Sequence, residues 1–365
     1  MSITKKIITA SILLTAFVSS SFAKPKAKKA QASKNADTIK IVTTIFPEYD
    51  WTREIIGTQS ANTDLTLLMN NGTDLHSYQP SIQDIAKIST ADIFIYVGGE
   101  SDGWVKDVLK NVRNKNIIAL NLMEILGDKV REEEIIEGMQ AEEDEHHHEH
   151  GHDEEADHDE EHHHDEDAEH DEDHDEDHHH DDEEEIEYDE HVWLSLRNAK
   201  ICCKAICDAL CKIAPENATA YKTNLAVYSK KLDDLDSRFS GTVSTSTQKT
   251  LLFGDRFPFR YFVDDYSLNY YAAFVGCSAE TEASFETIIF LAKKVDELGL
   301  NSVCQIESGT GKIARTIIQS SNNKNAAILT FDSMQSVNST DIKNGTTYLS
   351  IMEKNLEVLK AACAN

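Results

Sequence analysis

Outside one short tract the chain is almost without histidine: 14 of its 16 histidines fall within residues 141–190, which leaves only His76 and His191 elsewhere. The same tract has no lysine or arginine. Subtracting its 30 acidic residues from 65 leaves 35 acids against 35 bases, so the formal charge of −30 belongs to one segment and the remaining chain is neutral. A body without excess basic charge is no partner for a phosphate backbone, and nucleic acid binding is not expected. Long apolar runs are missing as well. The run from Ile7 to Val18 is too short to span a bilayer, and no later segment reaches the roughly 20 apolar residues a membrane helix needs. Catalytic signatures are also scarce. Outside the acidic tract no HExxH stretch occurs, and ESGTGK (307–312) lacks phosphate-loop spacing because Lys312 is followed by Ile313. No enzymatic activity is expected.

What is present begins with Lys5 and Lys6, the apolar run, and a small-residue exit at Ser21, Phe22 and Ala23, the pattern of a secretory signal peptide over residues 1–23. No cysteine lies near the cut, so a free periplasmic protein without a lipid anchor is expected. Residues 24–37 read as a Lys-rich disordered leader. The seven cysteines are an odd number. Cys203, Cys207 and Cys211 recur every fourth residue on one helix face, which suits a packed face better than a thiolate site. Cys277 and Cys304 are candidates for a disulfide in an oxidising compartment.

Beyond the leader the pattern is α/β. Short apolar runs bounded by turn residues, IKIVTTIF (39–46), TDLTLLM (63–69), DIFIYV (92–97) and NIIAL (116–120), read as buried parallel strands alternating with helices. After the acidic tract, Tyr221, Leu225, Tyr228, Leu232, Leu235 and Phe239 form one apolar stripe of a long helix starting near Pro215. Alternation then resumes with TLLFG (250–254), YYAAFV (270–275), SVCQI (302–306) and AAILTF (326–331). The expectation is two Rossmann-like βα lobes joined by one long rigid helix: an N-terminal lobe over 38–200, linking helices over 201–246 and a C-terminal lobe over 247–365. A disordered His/Asp/Glu-rich loop (141–188) interrupts the first lobe, because such a segment cannot bury enough apolar surface to offset its ordering entropy.

Ligands of open α/β sheets collect beyond the carboxyl ends of the strands. His76, Asp255, Glu307 and Asp332 follow expected strand ends, and His191 follows the acidic tract in YDEHVWLSL. Imidazole nitrogens with carboxylate oxygens are donors for a divalent transition ion.

On these blocks the sequence resembles a known family. GTDLHSYQPSIQDIAKISTADIFIYVGGESDGW (72–104) and EHVWLSLRNA (190–199) look like the two ligand motifs of the metal-binding proteins of ABC transporters, in the zinc-uptake ZnuA and manganese-binding groups. FRYFVDDYSL (259–268), ETEAS (280–284), QIES (305–308) and LTFDSM (329–334) are similar to later blocks in the same order. The resemblance implies a periplasmic solute-binding protein that captures zinc, or alternatively manganese or iron, for a membrane permease and its cytoplasmic ATPase, acting as a monomer. It carries His76, His191 and Asp332 over as ligands. The chain departs from the family at the third ligand: strict spacing from Tyr266 lands on Arg256, which cannot ligate, so Asp255, Glu307 or a water is left to complete the sphere.

The tract itself has two readings. As a capture device it binds metal weakly at many positions and raises the local ion concentration by tethering. As a spacer it is only a self-repelling solvated segment. A metal buffer or chaperone working through the tract alone is the further alternative.

Overall fold

A computed structural model describes residues 38–140, 187–278 and 282–364. The expected signal peptide and leader, and nearly all of the acidic tract, lie outside the described residues.

The chain opens with β1 (Ile39–Thr43), α1 (Phe46–Ile56), β2 (Thr63–Leu67), α2 (Ile82–Ser89), β3 (Ile93–Tyr96), α3 (Val105–Lys110), β4 (Ile118–Asn121) and α4 (Leu122–Leu126). The four strands pair in parallel in the order β2-β1-β3-β4. Ile93, Phe94 and Ile95 are buried in succession, as a strand covered on both faces requires. Two helices follow, α5 (Leu196–Ile213) and α6 (Ala218–Thr245). The second half contains β5 (Thr250–Phe257), α7 (Arg260–Tyr266), β6 (Asn269–Val275), α8 (Phe285–Glu297), β7 (Ser302–Ile306), α9 (Lys312–Ser320), β8 (Ala327–Phe331), α10 (Ser339–Lys343) and α11 (Tyr348–Ala362). Its sheet is again parallel, in the order β6-β5-β7-β8, so the two lobes repeat one topology. In each, the direction of strand addition reverses beside the first strand, which opens a crevice at the carboxyl ends. Among the described residues no helix is long and apolar enough to cross a membrane.

The spine of the molecule is α6, 28 residues and about 42 Å long. It begins after a short turn of 3-10 helix at Pro215–Asn217, so the proline precedes the helix instead of opening it. Tyr221, Tyr228, Leu232, Leu235 and Phe239 of the stripe are buried. The helix packs against α1, α5 and α11. The cysteine face of α5 is core: Cys202, Cys203 and Cys207 are buried, and burial pushes the Cys203 thiol far above its ordinary range. All seven cysteines are free thiols, so Cys277 and Cys304 are not joined.

One continuous hydrophobic core runs from β1 and β3 through α5 and α6 to Phe253 and Phe331, and a smaller one around Leu252, Leu291, Val303 and Ile317 fills the rest of the second lobe. Polar contacts stitch the lobes above it. The Trp193 indole donates to the Ser333 carbonyl at 2.9 Å, and the Tyr348 hydroxyl donates to the Trp193 carbonyl at 2.7 Å. The Tyr348 backbone N–H donates to Asp50 Oδ2 at 2.8 Å, which ties the start of α11 to α1. Trp193 is 1% exposed. Removing so large a ring from water is worth about 4–6 kcal/mol, and its indole N–H still finds an acceptor.

Candidate metal site

His76 sits on a short 3-10 turn (Leu75–Ser77) beyond β2. Asp74 caps that turn, its Oδ1 accepting the His76 N–H at 3.1 Å. Its Oδ2 accepts from Arg256 of β5 at 2.8 Å, so the second lobe holds the loop in place. Burial works against the Asp74 charge, yet the guanidinium keeps its carboxyl below the ordinary range. His191 begins the turn just ahead of α5 and is fully buried. Its backbone N–H donates to Asp189 Oδ1 at 2.8 Å and its Nδ1 lies 3.0 Å from the same oxygen, while Tyr261 donates to the Asp189 carbonyl at 2.6 Å.

The imidazole of His76 is braced in the same way. Its Nδ1 lies 2.8 Å from Ser101 Oγ and 3.4 Å from Glu190 Oε2, and the Ser101 N–H donates to Glu190 Oε1 at 2.8 Å. Gly99, at φ +77°, makes room for this carboxylate, since a Cβ there would come within 2.2 Å of Glu190 Oε1. The carboxylate beside His191 Nδ1 favours a proton there, which leaves the His191 Nε2 lone pair for a ligand. The two Nε2 atoms converge to 3.1 Å. Two imidazoles bound at about 2.0–2.1 Å to a tetrahedral zinc would place theirs about 3.3 Å apart, so the pair has the spacing of a metal chelate. Burial, with His191 second, lowers His76 to about 3, which keeps it neutral, the form that ligates.

A third donor arrives from the other lobe. Cys277 lies just past the end of β6, and its Sγ and the two imidazoles all fall within 4.8 Å of one another. Gly276 permits the approach, because a Cβ there would meet His191 Cε1 and the Phe257 carbonyl at 3.0 Å. The Cys277 N–H donates to Glu133 Oε1 at 3.3 Å. Burial, then Asp189 and Glu133, push its thiol far above the ordinary range. A cleft of about 630 Å³ leads to the group, lined by His76, Tyr78, Glu100, Glu133, Glu190 and Cys277 among others.

The structure does not bring Asp255, Glu307 or Asp332 into this group of donors. Strand β5 does not stop at Gly254: it continues to Phe257 through a register shift between Phe253 and Arg256, which makes Asp255 a strand residue. The Asp255 carboxylate accepts from its neighbour Arg256 at 2.9 Å and from the Ile306 N–H at 3.2 Å. Burial raises its pKa. Glu307 holds the loop after β8, accepting from the Ser333 N–H at 2.8 Å, the Ser333 hydroxyl at 2.9 Å and the Ser336 N–H at 3.3 Å. Asp332 accepts the Met334 N–H at 2.8 Å, and burial beside Glu307 raises it to about 6. Glu307 and Asp332 follow strand ends as expected, whereas Asp255 lies within β5, and each accepts backbone N–H groups. Sequence reading did not single out Asp189, Glu190 or Ser101, and it weighed Cys277 only as a disulfide candidate. The acidic pair directly before His191 is a signal for the first two, whereas a lone cysteine after a glycine has no spacing signature.

The segments flanking the tract are ordered together at the site. The Glu133 N–H donates to the Glu187 carbonyl at 2.9 Å, and Glu132 and Tyr188 form an antiparallel bridge. Farther along, the Gln140 N–H donates to the Ala273 carbonyl of β6 at 2.9 Å.

Two parallel lobes on a helical spine bring nitrogen and sulfur atoms together from both sides. The chain belongs to the ZnuA family, "Zinc-uptake complex component A periplasmic", whose sequence pattern matches residues 41–362. The zinc-binding protein AdcA of Streptococcus pyogenes serotype M3 is 30% identical over 356 residues, covering 98% of this chain and 61% of the relative. The chain thus spans somewhat under two thirds of that relative's length. The high-affinity zinc uptake system protein ZnuA of Bacillus subtilis is 25% identical over 332 residues, 91% of this chain and 90% of the relative. Among solved structures, the Zn(II)-bound ZnuA-like domain of Streptococcus pneumoniae AdcA matches with a TM-score of 0.62 at 23% identity, covering 90% of this chain and 100% of that one. The metal-dependent lipoprotein YcdH of Bacillus subtilis matches with a TM-score of 0.64 at 22% identity, covering 89% and 99%. At these identities the structures share the fold.

Proposed function

We propose that this protein captures a divalent transition metal, zinc before manganese or iron, between its lobes and hands it to an ABC-type importer made of a membrane permease and a cytoplasmic ATPase. The observation that carries this reading is the convergence of His76 Nε2 and His191 Nε2 to 3.1 Å, each imidazole braced at its δ nitrogen. Neutral imidazole suits zinc, and the oxygen-rich shell that would favour manganese is weakened because Asp255, Glu307 and Asp332 already serve backbone groups. The relatives' names as zinc-binding and zinc-uptake proteins support the same choice of metal.

The acidic tract concentrates ions at the cleft, since its flanking segments at Glu133 and Glu187 are paired beside His76 and Cys277. The protein works in the periplasm after cleavage near Ala23. A Streptococcus pneumoniae relative, 29% identical over 330 residues, is named a zinc-binding lipoprotein.

The test is competitive titration of zinc against manganese on mature protein lacking residues 141–187, with and without His76→Ala and His191→Ala. Zinc preference lost in both variants supports the reading; manganese preference moves the metal, and tight binding that survives both substitutions removes the site. Restoring the tract should raise stoichiometry without changing the tightest affinity.

A further inference from the structure

We propose that the Cys277 thiolate is the third protein ligand of the captured ion, and that this sulfur gives the site its preference for thiophilic metals. The inference rests on His76 and His191 being ligands, and it names the residue that fills the place left open when a family ligand position is occupied by Arg256.

The topology sets up the encounter. β2 and β6 are the corresponding edge strands of two sheets with one strand order, and the loops beyond them carry His76 and Cys277. The two loops meet with His191 between them, so an ion bound by all three closes one lobe on the other. The sulfur lies within 4.8 Å of both imidazole donors. In a tetrahedral shell with nitrogen at about 2.0–2.1 Å and sulfur at about 2.3 Å, the nitrogen–sulfur separation is about 3.5 Å. Reaching it needs a movement of at most about 1.3 Å, within what a side-chain rotation supplies.

The surroundings are arranged for that residue. Gly276 lets the chain lie against the His191 ring, and the Glu133 carboxylate holds the Cys277 N–H. Arg256 acts here as a positioning residue: one nitrogen binds Asp74, two residues before His76, at 2.8 Å, and the other donates to the Ser278 carbonyl, next to Cys277, at 3.3 Å. The guanidinium therefore fixes the two ligand loops at their proper distance. Cys304, in β7, is buried in the second lobe and is not bonded to Cys277, so no disulfide occupies the Cys277 sulfur. On binding, the thiol proton passes to water as the sulfur–metal bond forms. A neutral two-histidine pair thus becomes a shell with one negative charge, built of the donors that zinc, cadmium and cobalt(II) accept more readily than manganese.

Cobalt(II) absorption of the mature full-length chain tests this directly. The tract contains no cysteine, so ions held there add no thiolate signal. A thiolate-to-cobalt charge-transfer band is expected in the native protein and in Cys304→Ser, and its loss is expected in Cys277→Ser. Zinc affinity of Cys277→Ser, measured against a chelator, should fall by more than the about 10–100-fold that loss of a supporting residue costs. Manganese affinity should hardly change, so discrimination narrows. Zinc should also protect Cys277 of the native chain from alkylation, which decides the matter should the serine variant fold poorly. Binding that requires His76 but shows no thiolate band, with Cys277 alkylated equally with and without zinc, overturns the assignment and leaves the proposed function standing. Binding indifferent to His76 and His191 overturns both.

Discussion

At the junction of the first lobe two acids, Asp189 and Glu190, stand beside imidazoles; in the second lobe Asp255 and Glu307, at the sheet's carboxyl end, serve the backbone. Asp189 Oδ1 lies 3.0 Å from Nδ1 of His191, and Glu190 Oε2 lies 3.4 Å from Nδ1 of His76. Asp255 and Glu307 instead accept N–H groups from neighbouring loops and leave no oxygen within the donor group. Strand order is the same in both sheets, so topology alone does not make a carboxylate a ligand or a brace. What decides is which unpaired hydrogen-bond donors lie within reach, because a buried backbone N–H left unpaired costs as much as a lost hydrogen bond.

The sharpest way to break this comparison is to remove one group from each side. His191→Ala should weaken the tight site by more than about 100-fold, since losing a ligand costs more than losing its support. Asp332→Ala should leave it within about threefold. A large loss with Asp332→Ala would return the second lobe's acids to the metal. Asp189→Asn comes next: without the carboxylate that orients His191, affinity should drop about 10–100-fold, read by the same chelator competition. An unchanged affinity would mean that packing alone holds the ring.

For Glu307→Gln the expectation is the converse, a stability loss of about 1–3 kcal/mol in chemical denaturation with metal affinity intact, because the loop after β8 loses its charge-assisted bonds. A last expectation is a pH slope from the first lobe. Glu48 is fully buried, accepts the Thr44 and Ile45 N–H groups on one oxygen, and is pushed from 4.5 to about 8 by burial and by Asp102. A carboxyl that holds its proton more tightly when folded stabilises the fold fully below its ordinary value, and that contribution is lost as pH rises from about 4.5 to about 8. Urea midpoints of the native protein should therefore fall across this window, and Glu48→Gln should flatten the fall. A steeper fall in the variant would reverse the sign of the argument.

Much of this was readable in advance, for reasons that lie in particular residues. Runs such as IFIY announced buried parallel strands, and the spacing of Tyr221, Tyr228, Leu232 and Phe239 announced α6. The scarcity of histidine outside the tract drew attention to His76 and His191. The extension of β5 was not readable: GDRF has the composition of a turn, and it is strand because Arg256 and Phe257 find pairing partners in Phe274 and Val275 of β6. The fate of Asp255 followed from that one tertiary fact.

By itself the sequence determined two α/β lobes, a helical spine and two candidate imidazoles, because apolar periodicity and turn chemistry act between residues near in the chain. Only the tertiary structure decided which side chains stand beside those imidazoles. His76 and His191 are 115 residues apart, and their neighbours, Ser101, Asp189 and Cys277, are set by how two sheets pack on one core. A donor set assembled across lobes leaves no local spacing to read, since the distance that matters is measured through space.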